Sequence, residues 1–174
     1  MLKSVKWALV GLAPLVWGCS SAPIHYHTLL PAQPGTASGN VRVERVSMPP
    51  QVDRSQIVVR QGGSGLSILE TEWWGANLLD EFQNALQDQL GTPLGKDAAL
   101  LRVDVQRFDS VPGQYALLDA RWRLNSGKEY SLTCRSVLQT RADASVDALV
   151  NAHQNNLRQL AEAVRQASSS GRCP

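Results

Sequence analysis

The chain reads as an α+β protein of two layers: an antiparallel sheet of about six strands, in the order βββα-βββα, covered on one face by two helices. Three observations predict it. Residues 74–90 and 145–166 carry apolar side chains every three to four positions, the stripe of a helix with one buried face. Shorter stretches alternate apolar and polar residues, the period of a half-buried strand. The strands fall into two groups of three, each followed by a helix, so both helices need one apolar sheet face to cover.

The first strand runs from Val41 through Val43 towards Met48 and stops at Pro49-Pro50, which cannot donate to a ladder. Gln56 to Arg60, with Ile57-Val58-Val59, is the second, and Leu66 to Glu70 the third. Gly62-Gly63-Ser64-Gly65 between them is a hairpin turn. It shares composition with a phosphate loop but lacks the Gly-Lys-Ser/Thr ending and precedes no helix. Trp74, Leu78, Phe82, Leu86 and Leu90 then recur every four residues, predicting a helix from Trp74 to Leu90 that Gly91 and Pro93 end. Trp74 belongs to its core stripe. Trp73 either covers the core's edge or offers an exposed aromatic to a partner.

Leu101, Val103 and Val105 alternate with Arg102, Asp104 and Gln106. After the turn Val111-Pro112-Gly113, Ala116, Leu118, Ala120, Trp122 and Leu124 share one face, with Asp119, Arg121 and Arg123 on the other. Asn125-Ser126-Gly127 turns again into Tyr130 to Leu138. Short turns make these three an antiparallel meander. Its outer face, with Arg42, Asp104, Asp119, Arg121 and Arg123, is wet or binds something. The last helix spans Ser145 to Gln166, capped by Asp143 or Ser145. His153 falls on its apolar stripe, where a core role is the expectation and a catalytic one the alternative.

The N-terminus has a different character. Lys3 and Lys6 precede an apolar run from Trp7 to Trp17, the pattern of a secretory signal. The run is shorter than the ~20 residues a membrane-spanning helix needs. It ends at Leu15-Val16-Trp17-Gly18-Cys19, which resembles the lipobox of bacterial lipoproteins, although Trp17 is larger than the usual residue there. The resemblance implies a lipidated Cys19 (palmitate among its acyl chains) as the mature N-terminus. Each buried methylene contributes ~0.8 kcal/mol, so several chains anchor the protein firmly. Ser20 in place of Asp implies export to the outer membrane. The expected organisation is 1–18 signal peptide, 19–40 lipidated N-terminus and linker, 41–174 a single α+β domain. Within the linker, His25-Tyr26-His27-Thr28-Leu29-Leu30 can form one short strand.

Charge and cysteines narrow the function. The chain has 17 basic and 15 acidic residues. Loss of Lys3 and Lys6 with the signal leaves 15 of each, and a neutral body argues against nucleic acid as partner. Cys134 and Cys173, in an exported chain, read as a disulfide; the alternative is a buried free Cys134. Neither thiol has a second ligand at zinc-like spacing, and His25 and His27 lack a nearby Cys, Asp or Glu in sequence. No metal, cofactor or catalytic constellation is expected.

Several segments together resemble the PqiC-like auxiliary lipoproteins of ABC-type, MCE-domain lipid transport systems. They are Tyr26-His27-Thr28-Leu29, Val52-Asp53-Arg54-Ser55-Gln56-Ile57-Val58, Trp74-Gly75-Ala76-Asn77-Leu78, the run from Arg102 to Asp109, Leu118-Asp119-Ala120-Arg121-Trp122, and the terminal helix. Trp73 and Asn77 depart from the family's frequent Arg and Pro. The resemblance implies a lipid-anchored protein of the outer membrane, facing the periplasm, that docks the periplasmic tunnel of such a system and catalyses nothing. Its partners would be an MCE-domain tunnel protein and its permease, and a homo-oligomer is compatible with it. The alternative is a lipoprotein partner or chaperone of an outer-membrane assembly machine. Arg54 is the candidate partner contact, together with Trp73; the other reading of Arg54 is a capping ion pair with Asp53.

Overall fold

The computed structural model describes residues 21–33, 39–93, 95, 97–127 and 130–174. The signal segment 1–18, Cys19 and part of the linker lie outside the described residues. Strands β1 (His25–His27), β2 (Val41–Ser47), β3 (Gln56–Gln61) and β4 (Gly65–Trp74) precede helix α1 (Leu78–Leu90). Strands β5 (Ala99–Val111), β6 (Tyr115–Asn125) and β7 (Ser131–Arg141) precede helix α2 (Val146–Ser170).

The α+β class holds, but the strands form two sheets rather than one. The first has order β1-β4-β3 and the second β2-β5-β6-β7. Two pairings are parallel, β1 with β4 and β2 with β5. The expected single antiparallel sheet fails at Pro49-Pro50. There the backbone turns, with Val52 and Asp53 N–H both donating to Pro49 C=O, and the chain leaves the second sheet for the first. It returns only after α1, so β2 receives β5, a crossover partner, instead of β3. Antiparallel pairs need only a short turn, whereas a parallel pair requires such a crossover.

The β5-β6-β7 meander forms as its alternation predicts, with β6 in unbroken register against β7 and one register shift against β5 between Val105 and Arg107. Its inward residues meet the helices: α1 lies against β2, α2 against β6 and β7, and the helices touch each other. Leu101, Leu118, Trp122, Phe82, Leu86, Leu157 and Leu160 are all at most 1% exposed. Most buried polar groups are matched, His153 Nδ1 being an exception. Trp122 Nε1 donates to Ser136 Oγ at 3.0 Å, and Asn156 donates to Ala116 C=O at 3.0 Å while accepting from Thr140 Oγ at 2.7 Å. Such pairing is what a dry interior demands of its polar atoms.

Helix α1 begins four residues later than its spacing suggests. Trp73 and Trp74 are the last residues of β4, facing Tyr26 and His27 across the ladder. Trp74 is 3% exposed and packs edge-on against Phe108, so its core role stands although its helical one does not. The α1 N-terminus is capped from the loop between β2 and β3. Leu78 N–H donates to Arg54 C=O and Leu79 N–H to Asp53 Oδ1, which satisfies donors that a helix start leaves orphaned. At the other end, Cys134 and Cys173 are joined with their Cα atoms 5.6 Å apart. Gly171, in the left-handed region at φ 68°, ends α2 and lets the tail turn back to β7.

His153 is 1% exposed, stacked on Phe108 with ring centroids 3.8 Å apart, and its Nε2 lies 2.9 Å from Ser110 Oγ. Burial pushes its pKa down from 6.5 to about 3. The folded state therefore holds a neutral ring where the unfolded chain takes a proton. Stability is fully present above pH 6.5 and is lost as pH falls towards 3, at up to ~1.4 kcal/mol per unit. His153→Phe should lower the plateau at neutral pH, because Ser110 loses its partner, yet flatten the decline across this window. Urea midpoints at several pH values read both effects.

Candidate functional site

The outer face of the four-stranded sheet gathers positive charge in ladder rows. Arg45 of β2 is the register partner of Arg102 on β5, which faces Arg123 on β6. The next row on this face runs Ser47, Asp104, Arg121, Arg135. Like charges directly opposite one another are unfavourable, so a row of three arginines is offset by its surroundings. Glu44, at the register shift in β2, grips Arg102 through two hydrogen bonds of 2.7 and 2.9 Å. That contact holds the Glu44 carboxyl below the usual range. Asp119 takes Arg135 in the same forked manner, at 2.9 and 2.7 Å, and its carboxyl is likewise lowered, chiefly by that bond. Asp104 accepts from Ser47 and Gln106.

Among the described residues, no carboxylate pairs with Arg45, Arg121 or Arg123. They border a concavity of about 310 Å³ with Arg102, Ser47, Thr133 and one acid, Asp104, which faces Arg121 across the ladder. Guanidinium groups recognise carboxylate and phosphate in a planar fork. The arrangement can hold an anionic group without any rearrangement of the sheet. Alternation placed Arg121 and Arg123 on this face from sequence. Arg45 was not legible as their neighbour, because register between β2 and β5, more than fifty residues apart, leaves no local signal.

The second feature is the seat of the N-terminal strand. A three-residue strand has little stability of its own, and β1 is held by side chains from three elements. His25 and His27, on one face, both bond the Glu72 carboxylate of β4, at 3.0 and 2.6 Å. His27 first and His25 second hold that carboxyl below the usual range. The second nitrogen of His27 lies 3.3 Å from Asp147 at the start of α2. Glu81 of α1, itself buried, accepts from Thr28 Oγ at 2.8 Å and Leu29 N–H at 2.9 Å. Gln154 of α2 donates to Thr28 C=O. Leu29 is 1% exposed and belongs to the core. Among the described residues the first strand packed into the body is therefore β1, upstream of Val41. With both rings on Glu72, no group of three or more His, Cys, Asp or Glu forms a metal cage among the described residues.

The remaining predicted positions are placed as follows. Arg54 contributes backbone to the α1 cap while Asp53 supplies the side chain, and no ion pair is recorded for the Arg54 guanidinium among the described residues. Trp73 is half-buried, stacked edge-on with Tyr26 at 6.5 Å, with Nε1 donating to Glu70 C=O. The structure also brings Ser110 against His153, which sequence could not foresee. The pair has no orienting carboxylate, since His153 Nδ1 has no partner, and Ser110 is 3% exposed. A ring with its pKa near 3 is a poor base at neutral pH.

The description of one protein family, ABC-type transport auxiliary lipoprotein component, fits residues 28–165. The chain belongs to that family. The match opens at Thr28, inside the strand seat. No curated protein matches the chain. Two solved structures share the fold. A crystal structure titled only as an uncharacterized protein has a TM-score of 0.70 at 17% identity, covering 84% of this chain and 99% of its own. A Xanthomonas campestris protein of the DUF330 family has a TM-score of 0.61 at 17% identity, covering 86% and 95%. In this auxiliary lipoprotein, Glu81→Ala should leave Thr28 and Leu29 without their acceptor, at a loss of ~1–3 kcal/mol. Limited proteolysis should then cut within residues 25–33. Glu81→Gln, which keeps one acceptor oxygen, should resist cleavage better than the alanine variant.

Proposed function

We propose that this auxiliary lipoprotein is held at the outer membrane through Cys19, faces the periplasm, and docks the tunnel end of an MCE-type lipid transport system there. The observation that carries this reading is the family match across residues 28–165, because it ties the chain to an ABC-type transporter as an auxiliary part. Two structural features support it. The strand that follows Cys19 is locked into the body by Glu72, Glu81 and Leu29, so an anchor on that cysteine restrains the whole fold. The arginine row Arg45-Arg102-Arg123 offers a preformed surface to an acidic partner segment.

The partners are an MCE-domain tunnel protein and, through it, the permease. Charge on the outer sheet face sets orientation and encounter rate more than raw affinity. The body contributes no catalysis; it positions another protein. Arg54 and Trp73 lie outside the arginine row, and of the two only Arg54 serves as a second-rank partner contact.

The test is retention of the tunnel protein on the lipidated chain in membranes from its own host. The unaltered protein should retain it, and retention should fall with rising salt because exposed charges are screened beyond ~8–10 Å. Arg45→Glu with Arg123→Glu should cut retention about tenfold or more while unfolding stays close to the unaltered protein's, since surface changes usually shift stability by ~0.5 kcal/mol or less. Cys19→Ala should move the protein to the soluble periplasmic fraction. Equal retention by the charge-reversed variant would remove the arginine face from the docking surface. Capture of a barrel-assembly component in place of a tunnel protein would overturn the transport reading.

A further inference from the structure

The two faces of β1 do different work. His25 and His27 point to Glu72 and tie the strand down. Tyr26 points the other way, towards Trp73 on β4, and is 66% exposed; Ile24, one residue before the strand, is 44% exposed. A large apolar side chain standing singly on a surface needs no explanation, but a contiguous cluster does. This one is aromatic and amphipathic. Tyrosine and tryptophan combine an apolar ring with a polar group, the composition enriched where a membrane meets water.

Its position relative to Cys19 supplies the occupant. Five residues separate Cys19 from His25. A chain spans at most ~3.3–3.6 Å per residue, so Ile24 lies within ~18 Å of an acylated Cys19 and Tyr26 within ~25 Å. A body of this size has a radius of gyration of ~15 Å. The reach of the leash is therefore less than the body's own diameter. Because β1 is fixed to the body, the body cannot swing freely about the anchor.

We propose that Ile24, Tyr26 and Trp73 rest in the interfacial layer of the bilayer that holds the acyl chains, and that this contact fixes the orientation of the whole body on the membrane. The inference rests on the reading of Cys19 as the lipidated residue. No helix among the described residues is long and apolar enough to cross a membrane, so the contact is one of lying on the surface. The arginine row is thereby held at a set angle to the membrane rather than sampling all directions.

Trp73 makes the test direct. Trp7 and Trp17 leave with the signal, while Trp74 and Trp122 are 3% and 1% exposed. The lipidated protein is incorporated into vesicles of phosphatidylethanolamine and phosphatidylglycerol with brominated acyl chains, and its fluorescence is compared with that of Trp73→Phe, which gives the background of the buried rings. The difference signal should shift to the blue and lose at least about half its intensity relative to unbrominated vesicles. Protein that floats with the vesicles but shows an unshifted, unquenched Trp73 overturns the inference and leaves the anchor intact. Protein that fails to float overturns the anchor and the inference with it. Floating protein in which Tyr26→Cys cross-links to a second copy, with Trp73 unquenched, assigns the patch to self-association and also overturns it.

Discussion

The seat of residues 25–30 ties the N-terminal segment to the rest of the fold. Leu29 enters the core, Glu81 takes its N–H and the Thr28 hydroxyl, and Glu72 takes two histidines. Gly75 N–H donates to His27 C=O at 2.8 Å, and a Cβ on Gly75 would come within 2.9 Å of the Glu81 carboxylate. The seat is thus assembled from β4, α1, α2 and one glycine that leaves room for an acid. A buried carboxylate is tolerated only when hydrogen-bonded, and here its bonds go to the very segment that leads to Cys19. The junction between leash and body is among the better satisfied regions of the fold.

Beyond that seat, the two sheets are coupled by charge. Asp109, 6% exposed on β5, sits 2.8 Å from Arg60 Nε on β3, an ion contact whose angle falls short of a hydrogen bond, and 2.5 Å from Arg107. Removing one partner of such a buried group leaves the other uncompensated. On the outer face the logic differs. Carboxylates neutralise Arg102 and Arg135, while Arg45, Arg121 and Arg123 form no ion pair among the described residues. A neutral body can therefore still present one positive face, because Arg45, Arg102, Arg121, Arg123 and Arg135 outnumber Glu44, Asp104 and Asp119 there. Net charge alone would have hidden it.

What the sequence disclosed follows from the range of the forces involved. Alternation from Leu101 to Leu138 and the stripe from Ser145 to Gln166 are local patterns, and the meander and α2 appear there, with α2 running on to Ser170. The spacing Trp74-Leu78-Phe82 looked helical because a strand residue happened to stand four positions before the true stripe. The backbone there follows the ladder with β1 and β3 instead. Two sheets were read as one because the parallel pairing of β2 with β5 depends on a crossover that no local signal announces. For the site, Arg121 and Arg123 were visible as an outward pair. Their row with Arg45 and Arg102, the seat built by Glu72 and Glu81, and the Ser110–His153 contact depend on registers and packing that only the folded chain defines.

Strand β1 is part of the rigid body, so that an anchor on Cys19 would also orient a sheet. Amide hydrogen exchange on the lipidated protein examines that claim most directly. The N–H groups of Leu29 and Gly75 should exchange as slowly as those in the middle of β5 and β6, because they open only when the body opens. Exchange at the rate of an unprotected peptide, with β5 and β6 still protected, would mean that residues 25–30 are a loose tether and that the membrane sets no orientation on the fold.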